Sequence, residues 1–175
     1  MLPQVTFLYL AVFNKGHAFG ASLFHLLRMC TGIRKLIFIL SDNRNSEAQS
    51  ACPSDCICDE PTSWKTEGLV LNHLESANFY KLQGSDHEVT FLKQLFNWAT
   101  VLTNMTITFG DQVTESKARE FRQALVGYSR PETSVNFCLT LWTRARHTCS
   151  NQKAKELVFL LWCADCFLCY CTAAS

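Results

Sequence analysis

Leu102-Thr103-Asn104-Met105-Thr106-Ile107-Thr108-Phe109 carries the frame apolar-x-x-apolar-x-apolar at Leu102, Met105 and Ile107, and Leu74-Glu75-Ser76-Ala77-Asn78-Phe79 carries it at Leu74, Ala77 and Phe79. The frame recurs at Val5/Leu8/Leu10, at Ile33/Leu36/Phe38, and in a degraded copy at Val135/Phe137, where Glu132 occupies the first position. The central residues are separated by 28 positions from Leu8 to Leu36, 41 to Ala77, 28 to Met105 and 30 to Val135. A recurring short frame of this kind predicts a strand in each copy, and its near-constant spacing predicts an internal repeat.

Between the frames the apolar period lengthens to that of a helix. His17 to Cys30 places Phe19, Leu23, Leu26, Leu27 and Cys30 on one face. Ser85 to Ala99 does the same with Val89, Leu92, Leu95, Phe96 and Ala99, and Ser85 with Glu88 forms a capping-box signature. Glu115 to Ser129 follows Thr114 as N-cap, buries Ala118, Phe121 and Leu125, and stops before Pro131. The expected fold is therefore α/β: a leucine-rich-repeat-like strand-helix solenoid fragment with parallel strands and helices on the convex side. A doubly wound α/β domain also alternates strands with helices. The in-register frames favour the solenoid.

The long interval falls in Ser41 to Lys65, rich in Ser, Asn, Asp and Pro, which reads as a loop between the second and third repeats. Near its end stands Cys52-Pro53-Ser54-Asp55-Cys56-Ile57-Cys58-Asp59-Glu60-Pro61-Thr62-Ser63-Trp64. Residues 52–141 resemble the FBD domain found toward the C-terminal end of plant F-box/leucine-rich-repeat proteins. The resemblance rests on this Cys-Pro-x-x-Cys-x-Cys-x-x-Pro-x-x-Trp opening, the strand frame from Leu71 to Phe79, Gly84-Ser85-Asp86-His87-Glu88 before a helix, and Leu102 to Phe109. Upstream, Gly16-His17-Ala18-Phe19-Gly20 and Phe24-His25-Leu26-Leu27 are similar to the region that precedes that domain in grass members of the family.

The chain accordingly divides into a repeat region over 1–51 that ends in a polar loop, an FBD-like domain over 52–141, and an atypical Cys-rich apolar tail over 142–175. The resemblance implies the substrate-recognition end of an SCF-type ubiquitin ligase, with no catalytic residues to carry over. F-box helices are not found in this sequence, so a Skp1-type adaptor is not the expected partner. The expectation is a non-catalytic interaction module, a truncated family member, that binds a protein partner and needs no cofactor.

If the frame residues face the core, strand alternation exposes Tyr9, Ile37, Ile39, Asn78, Tyr80, Thr106, Thr108, Asn136 and Cys138 on the other side. That face is the candidate partner-binding surface, an aromatic and aliphatic stripe grading into amides and hydroxyls. Two other readings compete. Cys52, Cys56 and Cys58, with His73 downstream, could ligate a structural zinc, or two of the cysteines could pair as a disulfide, but their spacing is not a common zinc pattern and a loop held by Pro53, Pro61 and the packing of Trp64 is the favoured reading. The tail run Leu157 to Cys171, with Cys163, Cys166, Cys169 and Cys171, reads first as a terminal core piece or a poorly ordered extension; it could also associate with a membrane or bind a soft metal, but it is short of a roughly 20-residue span and contains Asp165.

Sixteen basic side chains against fifteen acidic ones leave a net charge of +1, which gives no field to hold a nucleic acid. Met1 to Gln4 lacks the basic start of a secretory signal, and Val5 to Phe13 reads as a strand. The expected setting is cytoplasmic or nuclear, with the ten cysteines mostly thiols. The sequon Asn104-Met105-Thr106 lies within a strand segment, a poor place for a glycan. Cys30, Cys138, His25 and His87 are chemically able side chains in no recognisable catalytic context. A solenoid of this kind is also expected to leave a bare apolar edge at its first strand.

Overall fold

The computed structural model describes residues 5–13, 17–41 and 62–139, together with the backbone of two strands at Leu157–Cys163 and Phe167–Ala173. Five strands coincide with the five apolar frames: β1 (Phe7–Val12), β2 (Lys35–Leu40), β3 (Ser76–Leu82), β4 (Asn104–Phe109) and β5 (Ser134–Leu139). Among the described residues, α-helices lie in three of the four connections, α1 (Gly20–Met29) between β1 and β2, α2 (Asp86–Trp98) between β3 and β4, and α3 (Glu115–Leu125) between β4 and β5, and the two tail strands are β6 (Leu157–Cys163) and β7 (Phe167–Ala173).

The first five strands pair in parallel and in chain order, β1 with β2, β2 with β3, β3 with β4 and β4 with β5. A doubly wound sheet reverses strand order at a switch point. These five strands do not reverse, so successive crossovers of one hand place their helices on one face. The contacts agree, since α1 packs on α2 and α2 on α3.

Register follows the apolar frame. Leu8, Leu36, Ala77, Met105 and Val135 lie side by side across the sheet, and so do Leu10, Phe38, Phe79, Ile107 and Phe137. A slip of one residue would turn every one of these side chains away from the helices. The residue just before each strand extends the pattern: the carbonyl of Thr6 accepts from Arg34 and Lys35, that of Arg34 from Glu75 and Ser76, that of Glu75 from Thr103 and Asn104, and that of Thr103 from Ser134.

The helix layer closes over an aromatic cluster. Phe91 on α2 meets Phe19, Trp64, Phe79 and Trp98 with ring centroids 5.5–6.4 Å apart, and Phe19 reaches Phe38 at 4.7 Å. All six are buried in one continuous core. The helix faces expected from periodicity are buried except Val89, which is half-buried, but Phe91 and Trp98 lie outside the expected face of α2. As the central helix, α2 has α1 and the Thr62–Lys65 turn on one side and α3 on the other. Its buried arc is therefore wider than the single stripe of a surface helix.

The return from the long connection is a short 3-10 turn, Thr62–Lys65, that drives Trp64 into the core. The chain is then tied along α2. Gln94 Nε2 donates to the Lys65 carbonyl at 2.7 Å, Trp98 Nε1 to the Glu67 carbonyl at 3.3 Å, and Leu71 N to the Trp98 carbonyl at 2.9 Å. Trp64 lies on the backbone of Gly20, the first residue of α1, where a Cβ would overlap the indole. Glycine is needed there for close approach.

The tail adds an antiparallel hairpin. β7 pairs with β6 and along the whole of β1, completing a seven-stranded sheet in the order β5-β4-β3-β2-β1-β7-β6. The bare first edge expected from the sequence is thus occupied. No signal upstream of the tail foretells this, because pairing β1 with β7 requires a contact across nearly the full length of the chain.

Trp64→Ala is expected to cost about 3–5 kcal/mol, as for other buried aromatic truncations. Gly20→Ala should cost about 1–3 kcal/mol through overpacking, and much less in a Trp64→Ala background because the added methyl then meets a cavity. Denaturant unfolding of the single and double variants measures this coupling, and strict additivity would contradict the assigned contact.

Candidate functional site

The face of the sheet opposite the helices is built by the strand alternation that builds the core. With one set of residues facing the helices, the intervening set must face away. Register sorts the residues into rows. Tyr9, Ile37, Asn78, Thr106 and Asn136 form one row, and Ala11, Ile39, Tyr80, Thr108 and Cys138 the next. All the residues expected to bind a partner, from all five parallel strands, fall in these two adjacent rows.

A third row was not anticipated: Phe7, Lys35, Ser76, Asn104 and Ser134. The same alternation, carried two residues toward the strand starts, would have found it. Lys35 is the one ionisable side chain among the three rows apart from the tyrosines and Cys138, and its ammonium lies 5.7 Å from the centroid of the Phe7 ring. The sequon residue Asn104 is the exposed first residue of β4 and donates to Thr103 Oγ1 at 3.0 Å.

Tyr9, Ile37, Ile39, Asn78, Tyr80, Thr106 and Thr108 are half-buried, while Asn136 and Cys138 are exposed. The gradient has a simple cause. Strands roughly 4.8 Å apart bring neighbouring side chains of one row into contact, so each shades the next, and β5 lies at the edge with shade from one side only. The surface therefore passes from aromatic and aliphatic at β1 and β2 to amide and hydroxyl at β4 and β5. It offers apolar area beside donors and acceptors, with almost no charge.

At the end of β3 the rows are interrupted by design of the local chain. The ladder with β4 shifts between Tyr80 and Leu82, Lys81 takes a left-handed φ of 62° and Gly84 one of 73°. The ladder resumes with Leu82 opposite Phe109, but such a bulge bends the strand. Here it turns the backbone N–H groups of Gln83, Gly84 and Ser85 onto the carboxylate of Glu88, at 2.8 to 3.1 Å. Ser85 and Glu88 thus form the capping box read from the sequence, but with Glu88 buried and two further donors added. The device fixes where Tyr80 ends its row and where α2 begins.

The other candidate sites separate in space. Cys52, Cys56 and Cys58 lie outside the described residues, and His73 is exposed in the turn after Leu71. Among the described residues, no group of three or more His, Cys, Asp and Glu is placed to hold a metal ion. Cys30 is buried at the end of α1, His25 is exposed on α1, and His87 lies edge-on to Phe19, 5.6 Å away, beside Ser85 Oγ. Cys138 stands on the open face, with the sheet between it and those histidines. No helix among the described residues is long and apolar enough to cross a membrane, and the tail residues 157–163 and 167–173 are strands.

Comparison of the chain with protein-family models, with curated proteins and with solved structures found no match.

Burial pushes the Glu88 carboxyl above its ordinary value of 4.5, against the N–H donors of Gln83, Ser85 and Gly84, which pull it down. The folded chain then retains a proton at pH values where the unfolded chain has released it, so stability falls as pH rises from 4.5 through the raised folded value. Glu88→Gln cannot titrate and should lack this slope. Urea midpoints over about pH 4 to 7 are expected to move in favour of the native chain, relative to the variant, as pH is lowered. Movement in the opposite sense would mean that the donors outweigh burial.

Proposed function

We propose that this chain is a non-catalytic protein-interaction module, a fragment of a leucine-rich-repeat-like solenoid whose open sheet face holds a protein partner. The observation that carries the reading is the convergence of Tyr9, Ile37, Ile39, Asn78, Tyr80, Thr106, Thr108 and Asn136, from five strands, into two adjacent rows of one face. Strands in chain order, frames in register and helices stacked on the far side favour a solenoid, an architecture that binds through its extended sheet surface. Tyr9 and Tyr80 are the aromatic anchors, the residue type that most often dominates binding energy. Asn78, Thr106, Thr108 and Asn136 supply paired donors and acceptors that reward a partner presenting uncharged polar groups.

The resemblance of residues 52–141 to the FBD domain of plant F-box proteins fits the same reading, as the substrate-holding part of a ubiquitin-ligase receptor. Within that motif Trp64 fills the core between α1 and α2, a structural task for its last residue.

Tyr9→Ala and Tyr80→Ala should each weaken partner binding by about 2 kcal/mol, roughly thirtyfold in Kd, with little change in thermal stability because both side chains lie outside the core. Affinity capture from native tissue with the wild-type chain and the double variant tests this. Proteins retained by the first and lost by the second support the face, and identical capture by both overturns it. Recovery of a Skp1-type adaptor among the specific partners would restore a ligase role, whereas its absence from them would leave a separate binding module.

A further inference from the structure

The two ends of the parallel array are matched, and one of them is covered. At β1 the Thr6 carbonyl accepts from Arg34 and Lys35, and the Val12 carbonyl from Ser41. Alternation then turns the N–H and C=O groups of Phe7, Tyr9 and Ala11 away from β2. That is the edge taken by β7, which sets Thr172, Tyr170 and Leu168 opposite those three residues.

At the far end β5 is an edge strand. Ser134 N donates to the Thr103 carbonyl, so the outward backbone groups belong to Val135, Phe137 and Leu139. Edges are commonly protected by charge, proline or a bulge. Ser134-Val135-Asn136-Phe137-Cys138-Leu139 contains no charged residue and no proline, and its ladder with β4 is regular throughout. Leu139 is 40% exposed and Val126, just past α3, is 72% exposed. The Arg122 guanidinium, 5.0 Å from the Phe137 ring centroid, gives partial cover.

We propose that β5 of one copy is complementary to β1 of another, and that the β6–β7 hairpin is a built-in cap that prevents this head-to-tail stacking. Both strands run in the same sense and carry the same frame. Val135/Phe137 would meet Leu8/Leu10 in the register that already joins every neighbouring pair from β1 to β5. The contact joins two different surfaces, so it does not close on itself and generates open chains. The hairpin competes for the same edge of β1 from within the molecule, where its effective concentration is on the order of millimolar. It therefore prevails in dilute solution.

The full-length chain tests this. Tyr170→Pro removes an N–H that alternation points at β1, and Val135→Pro removes one that points outward from β5, where a proline breaks no bond within the sheet. Sedimentation equilibrium of Tyr170→Pro should show a mass that climbs with concentration, well above that of the wild-type chain, and the Tyr170→Pro/Val135→Pro double variant should lose most of the increase. A folded, monomeric Tyr170→Pro chain overturns the proposal, and so does association that persists undiminished in the double variant. Hydrogen exchange in the wild-type chain gives a reading independent of whether the variants fold. The amides of Phe7, Tyr9 and Ala11 should be protected, and exchange at the rate of open chain would show that the edge is uncapped.

Discussion

Parallel register is the constraint on which the rest of this structure depends. Leu10, Phe38, Phe79, Ile107 and Phe137 form a continuous apolar row, and four of the five are at most 1% exposed. Burying side chains of this size is worth about 1.5–3 kcal/mol each. A one-residue slip would send each of them to the opposite face. The same alternation that buries the row aligns Tyr9, Ile37, Asn78, Thr106 and Asn136 on the open side, so the candidate binding surface is a by-product of the core. No separate geometry is needed to assemble it.

A second dependence lies between the repeats. The long connection before Thr62 could have separated the first two strands from the remainder, since chain continuity by itself transmits no register. Trp64 prevents this by packing on Gly20, Phe91 and Trp98, and hydrogen bonds from Gln94 and Trp98 hold the returning chain along α2. The core of β1, α1 and β2 is thereby continuous with that of β3, α2 and β4. The motif from Cys52 to Trp64 has its clearest physical meaning at its last residue.

Much of this was legible along the chain. The frames located β1 to β5, periodicity located three helices, and Thr114, Ser85 and Glu88 marked helix starts that the structure retains. What lies beyond the local pattern has two separate causes. Phe91 and Trp98 fall outside the single apolar stripe of α2 because that helix is enclosed on several sides. The row of Phe7, Lys35, Ser76, Asn104 and Ser134 was missed at the strand starts, where the apolar frame is silent.

By itself, then, the sequence determined the five parallel strands, the three helices and the side of each of those strands that faces the helices, because those properties arise from local spacing repeated without reference to distant residues. Tertiary structure decided the strand order, the burial of Trp64 against Gly20, the desolvation of Glu88 and the pairing of β7 with β1. Each of these joins residues far apart in the chain, and its stability comes from a close approach or a shared ladder that exists only once the sheet has formed. The open face belongs to both levels: alternation chose its residues, and only register brought them into rows.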